Sequence, residues 1–190
     1  DKEAQSTLST LIVKHNPLPP MLKGTNTAYL KQICDELIYR MLSERINDET
    51  MKPNSPIVGG VMAYTDLVPT KDGFYTRIAA KDGQAKEAVQ LHLYMIEKMR
   101  RYGFTSAELE RAKTAYLNEL EKQFNERNTT ANIHFVQQYI NHYLDQAPIP
   151  GIDWELTTAK QLLPLLTVEN INQIAMQTYI TPVNILYCLQ

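Results

Sequence analysis

Side chains able to hold a metal or move protons are few and scattered along the chain. The histidines are His15, His92, His134 and His142. A helical zinc site needs ligands whose side chains meet, normally at i and i+4 on one face. No two of these histidines have that spacing. His134 and His142 stand eight apart, about two turns with an angular offset of roughly 80°, so they cannot share one ion without distortion. A surface or half-buried structural role is expected for both. His92 lies beside the apolar stripe of its segment, and Glu97 follows it without zincin geometry. His15 precedes a proline-rich loop, where a solvated ring is the expectation.

Nucleophilic chemistry is no better supported. The serines are Ser6, Ser9, Ser43, Ser55 and Ser106, and none sits in a G-x-S-x-G elbow. Ser106 falls at a helix N1 position, where small polar residues are common without catalysis. Cys34 and Cys188 each lie in apolar periodic segments, so both read as packed thiols rather than nucleophiles or a disulfide framework. No G-x-G-x-x-G or G-x-x-x-x-G-K-[ST] loop is present. Carboxylates are plentiful but alternate with bases, as in Glu108/Lys113 and Glu119/Lys122, the pattern of a solvated helix face. Lys98, Arg100 and Arg101 close a helix, where cations suit the dipole better than they suggest phosphate binding. Eleven tyrosines suit a polypeptide-binding surface and equally the rims of a core.

These residues sit in a chain of 190 with formal net charge −2, 44% hydrophobic residues and a mean hydropathy of −0.33. That is an ordinary globular composition, sufficient for one sizeable core. The near-neutral charge argues against nucleic-acid binding. No run of apolar residues is long enough for a membrane span. The chain opens at Asp1 without a visible targeting signal, as expected of a piece cut from a longer protein.

The periodicities set the elements. Thr7 to Lys14 is β-branched and apolar, a strand, and the Pro17, Pro19 and Pro20 stretch after it is a loop. From Asn26 to about Asn47, Leu30, Ile33, Cys34, Leu37, Ile38, Met41 and Leu42 mark a helix, with Thr25 or Asn26 as its cap. Pro56 to Lys81 reads as a β-hairpin, with the turn at Pro69 and Lys71-Asp72-Gly73. Gly59-Gly60 marks a bulge or a close backbone approach. Gln84 to Tyr102 is a second helix facing inward with Ala88, Leu91, Met95 and Met99, ended by Gly103. Thr105 and Glu108 form a capping box, and Phe104 and Leu109 occupy the staple positions, opening a third helix to about Glu126. A fourth helix, from Asn128 or Thr130 to about Gln146, is expected to face inward with Ile133, Val136, Ile140 and Tyr143. Asp153 caps a short helix to about Leu163, Pro164 interrupts, and Thr167 caps the last helix. A closing strand follows Pro182. Terminal strands must pair with the central hairpin. The expectation is one compact α+β domain over 1–190, a two-layer sandwich with helices on one face of a mostly antiparallel sheet.

The segment YGFTSAELERAKTAYLNELE, Tyr102 to Glu121, resembles a signature of the pitrilysin/insulinase family of zinc peptidases, which includes the mitochondrial processing peptidases. MLSERINDETMKPNSPIVGG, AAKDGQAKEAVQLHLYMIEKMRRYGF, LLPLLTVENINQIAMQTYITPVNILYCL and the opening DKEAQST resemble the family's flanking segments in the same order. In that family, two halves of two related domains enclose a chamber for unfolded peptides. An H-x-x-E-H motif and a downstream Glu hold zinc in the first domain. This sequence has no H-x-x-E-H. The resemblance therefore implies a noncatalytic domain with no cofactor of its own, whose partners are a zinc-bearing catalytic domain of the same protein and a peptide substrate. It also implies an extracytoplasmic, often periplasmic, setting in bacteria. The family's second half usually carries an Arg with a Tyr seven positions on, reaching the substrate. Here Arg45 matches, but Lys52 holds the second position and the next tyrosine is Tyr64. Arg45 is thus the candidate substrate contact, although a structural ion pair is the favoured reading of it. The second domain of the catalytic half is favoured. The rival reading is a free-standing inactive homologue that acts as a scaffold or protein-interaction module.

Overall fold

A computed structural model describes residues 7–68, 70–145, 148–179 and 185–189. The opening segment, Pro69, Pro182 and the burial expected of Cys188 lie outside the described features. Strand β1 (Leu8–His15) is followed by a 3-10 turn at Pro20–Leu22 and helix α1 (Asn26–Thr50). The hairpin is β2 (Ile57–Val68) and β3 (Lys71–Ala80). Helices α2 (Ala85–Tyr102), α3 (Ser106–Glu126), α4 (Asn132–Asp145), α5 (Ile152–Leu162) and α6 (Val168–Ile174) come next. A π-helical turn continues α6, and β4 (Ile185–Leu189) closes the described chain.

The sheet runs β2-β3-β1-β4, and every pairing is antiparallel. Alternation within the strands points Ser9, Leu11 and Val13 of β1, and Phe74, Thr76 and Ile78 of β3, toward the helices. This is the α+β sandwich expected from the order of elements. α1 is its spine. Its buried residues come in adjacent pairs, Ile33-Cys34, Leu37-Ile38 and Met41-Leu42, because it packs on β2 with one side and α3 with another. Each such fully buried aliphatic side chain contributes about 1.5–3 kcal/mol.

Local signals hold at most element ends. Thr25 accepts the amide proton of Ala28 at 3.2 Å and caps α1. Thr105 and Glu108 complete their capping box, and Phe104 and Leu109 are both buried. Thr167 caps α6 and forms a second box with Asn170. The hairpin register shifts between Ile57 and Gly59, a bulge at the glycine pair. A Cβ at Gly60 would stand 2.7 Å from the Arg77 carbonyl, so both expectations for that pair hold.

Three expectations are corrected. Lys71-Asp72-Gly73 is the start of β3 and not the turn. Gly73 is paired on both sides, with Lys14 and Thr65, and strand pairing in the middle of the sheet overrides the local turn preference. Asp153 lies inside the first turn of α5, and the N-cap is Gly151 at φ +82°. Most important, the supposed inner face of α4 is outside. Ile133 is 72% exposed and Tyr143 85% exposed, with Val136 and Ile140 also exposed. Amphipathic spacing identifies a helix but not the body that covers it.

Candidate functional site

An open groove of about 1450 Å³ lies between the outer side of α1, the β2–β3 hairpin end, α3 and the segment 148–155. The strand period places Tyr64 and Asp66 of β2 at its wall, and the helix period places Lys31, Asp35 and Tyr39 of α1 beside them. Lys31 Nζ lies 3.8 Å over the Tyr64 ring and 2.5 Å from Asp35 Oδ2. The cation thus bridges an aromatic face and a carboxylate. Burial and neighbouring Asp72, Asp35 and Asp66 push the Tyr64 hydroxyl well above its ordinary range, so it stays a neutral donor.

Asp66 and Asp72 face each other across the hairpin. Burial raises the Asp72 carboxyl, and the Asp66 charge raises it further, while Lys31 opposes both. Like charges placed opposite on a sheet destabilise it. At the other end, Tyr29 and Trp154 rings meet at 4.8 Å, and the Tyr29 hydroxyl donates to the Glu155 carbonyl at 3.1 Å. These contacts bind α5 to α1. Burial raises the Glu155 carboxyl as well. The lining includes Asp35, Glu36, Asp66, Asp72, Glu119 and Glu155 against Lys23, Lys31 and Arg40. The groove is therefore aromatic and leans acidic. Its side chains can bind and orient a polypeptide, but they place no nucleophile beside a base.

The histidines do not gather. His15 lies at the end of β1, its ring 5.9 Å from that of Tyr64. It is half-buried, not solvated, and burial and Lys31 lower its basicity. His134 and His142 are on exposed stretches of α4. His92 is fully buried. Its Nδ1 is 2.8 Å from Ser9 Oγ, and its Nε2 is 2.8 Å from Thr76 Oγ1. Thr76 spends its own proton on the Leu11 carbonyl at 3.1 Å, so His92 Nε2 must donate to Thr76. Nδ1 then accepts from Ser9. This network joins β1, β3 and α2 inside the core, and burial lowers the His92 pKa to about 4. A serine–histidine pair closed off in this way is structural. Its sequence signal was the position of His92, four residues from Ala88 and three from Met95, within the buried stripe.

A zinc ion does not fit this donor set. Among the described residues no group of three His, Cys, Asp or Glu side chains converges. Burial raises the Cys34 thiol to about 11, which disfavours thiolate chemistry.

Arg45 is not part of the groove lining. Its Nε and Nη2 donate to the Glu108 oxygens at 2.6 and 3.0 Å, and Nη2 also donates to the Gly103 carbonyl at 2.8 Å. The guanidinium lies 4.6 Å over the Phe104 ring. The cations near the end of α2 are also engaged: Arg100 and Arg101 both pair with Glu97. No helix among the described residues is long and apolar enough to cross a membrane.

No protein-family model matches the chain. A stretch of 79 residues is 25% identical to a "zinc protease PQQL-like" of Arabidopsis thaliana, spanning 42% of this chain and 8% of that protein. The first half of the periplasmic protease PqqL from Escherichia coli is similar in structure, with a TM-score of 0.83 at 16% identity. The match covers 94% of this chain and 38% of that one. A peptidase M16 inactive domain from Pseudomonas fluorescens gives a TM-score of 0.65 at 13% identity, over 97% of this chain and 40% of that one. An inactive peptidase domain from Bordetella parapertussis gives 0.64 at 12% identity, over 99% and 94%. The chain thus spans well under half of the PqqL half and under a tenth of the plant protein. With its helices on one face of a four-stranded antiparallel sheet, the chain has the fold of the noncatalytic, inactive peptidase domains of pitrilysin/insulinase-type zinc proteases.

Proposed function

We propose that this chain is one noncatalytic domain of a longer zinc peptidase, where it buttresses the catalytic domain and lines part of the peptide chamber. The observation that carries the reading is the aromatic, acid-leaning groove on a fold shared with inactive peptidase domains. The whole of 1–190 forms this single domain, and zinc belongs to the catalytic domain of the parent protein. The likeness to the first half of a periplasmic protease favours the catalytic half and an extracytoplasmic setting. In the groove, opposed Asp66 and Asp72 favour a Lys or Arg of the bound peptide, which relieves their repulsion.

The test compares the full-length protein with this chain. The full-length protein should hold zinc and cleave unfolded peptides, and this chain should do neither. Zinc-dependent cleavage by this chain alone would end the reading. In the full-length protein, Tyr64→Ala should raise KM for peptides several-fold with little change in zinc content. A peptide contact at Arg45 requires its guanidinium to leave Glu108. Arg45→Lys separates the roles: a higher KM at unchanged stability supports the contact, and lost stability at unchanged KM supports the helix tie.

A further inference from the structure

We infer that Lys31 is the resident occupant of a cation seat in the groove, and that an arginine side chain of a bound peptide takes the seat by displacing it. The inference rests on the reading of this groove as a peptide site and adds what governs its selectivity. The hairpin builds one wall of the seat. Tyr64 and Asp66 stand two apart on β2, so both point to the same face. Asp72 lies opposite Asp66 in the register and shares that face. α1 builds the other wall, where Lys31 and Asp35 are neighbours one turn apart.

An ammonium already sits between these walls. Lys31 Nζ is 3.8 Å over the Tyr64 ring, whose face carries the negative side of its quadrupole, and 2.5 Å from Asp35 Oδ2. Its charge also reaches Asp72. The other bases of the groove are placed differently. Arg40 pairs with Glu36 at 2.8 Å and lies 5.8 Å from the ring of Tyr116, which is buried. Lys23 acts on Asp72 more weakly than Lys31 does.

Lys31 is held loosely. A lysine four residues before an aspartate is the weaker orientation of a helical ion pair. Its side chain is 35% exposed, so solvent screens the pair. An ammonium that leaves the ring regains strong hydration. A guanidinium that arrives is less hydrated, stacks flat on an aromatic face and offers several donors to Asp35, Asp66 and Asp72. This exchange of one cation for another keeps the charge of the seat unchanged. A neutral side chain that displaced Lys31 would instead leave the three carboxylates facing one another. Lys31 therefore acts as a filter that yields to a basic residue and resists a neutral one.

Fluorescence anisotropy of dye-labelled, unstructured peptides tests this, with EDTA present so that none is cut. One peptide carries a single central arginine, and its counterpart carries norleucine there. Methionine sustains a helix about as well as lysine, so Lys31→Met keeps α1 intact. In the full-length protein Lys31→Met should tighten binding of the arginine peptide roughly twofold to fivefold, the range of one cation–ring contact at a partly exposed site. The norleucine peptide should bind as before. The gain should disappear in a Tyr64→Leu background. An equal gain in that background would show a long-range charge effect and overturn the exchange. Unchanged or weaker binding of the arginine peptide to Lys31→Met also overturns it, and leaves the groove standing as a peptide site. Binding of neither peptide by the wild type overturns both readings. Exchange as expected, in a full-length protein that holds no zinc and cuts no peptide, supports the seat and sinks the peptidase reading alone.

Discussion

Arg45 closes on Glu108 through two parallel hydrogen bonds, and in doing so ties the exit of α1 to the first turn of α3. Glu108 also accepts from the Thr105 amide at 2.8 Å, so one carboxylate serves both the capping box and the ion pair. Burial pushes this carboxyl up, but the bonds from Arg45 and Thr105 outweigh it and hold it at about 2. Glu108→Ala should cost about 2 kcal/mol, since it removes a half-buried charge partner and half a cap. Arg45→Lys should also destabilise, because an ammonium cannot reproduce the planar fork. Urea unfolding at neutral pH checks both. A depressed carboxylate contributes stability above its unfolded value and loses it as pH falls from about 4.5 toward 2, and Glu108→Ala should flatten that part of the curve.

His92 gives a second pH window with the same sign. Its folded value of about 4 lies below the ordinary histidine value of 6.5, so the native state binds fewer protons in between. Stability from this group is complete above the unfolded value and falls as pH drops from 6.5 to 4. His92→Phe leaves partners in the core without its ring nitrogens and should cost about 1–3 kcal/mol at pH 7. The difference between wild type and variant should shrink as pH falls through that window. A difference independent of pH would show that the ring does not remain neutral.

Gly103 should tolerate no side chain. Its φ of +62° and ψ of −147° fall in a region that only glycine enters readily. A Cβ there would also run into Asn172. That asparagine accepts from the Phe104 amide at 2.7 Å and donates to the Phe104 carbonyl at 3.0 Å, so it holds the α2–α3 junction from α6. Gly103→Ala should lose about 2–4 kcal/mol, strain plus two displaced hydrogen bonds. Asn172→Ala should lose about 1–2 kcal/mol. The double variant should fall short of their sum, because both changes break the same bonds.

Asp72→Asn should act in the opposite direction. It removes one of two like charges facing across the hairpin and should raise stability by about 0.5–1 kcal/mol at pH 7. It should also weaken binding of lysine-rich peptides to the full-length protein, measured by calorimetry. A stability loss would show that the attraction of Asp72 to Lys31 outweighs its repulsion from Asp66.

The α+β class, the order of strands and helices, the bulge at the glycine pair and the caps at Thr25, Thr105 and Thr167 were legible from residue types alone. Each rests on chemistry within a few residues: a period of 2 or 3.6, a hydroxyl within reach of an amide, a glycine free to take positive φ. What the tertiary structure decided involves residues far apart in the chain. Lys71-Asp72-Gly73 became strand because β1 and β2 pair with it from both sides. His92 became the centre of a buried network because folding brought Ser9 and Thr76 to its two nitrogens. Arg45 found Glu108, and the groove took shape where α1, the hairpin and α5 converge. The α4 face shows the division most plainly. Spacing fixed which residues share an arc, but burial belongs to whatever packs against that arc, and no described element packs extensively against α4.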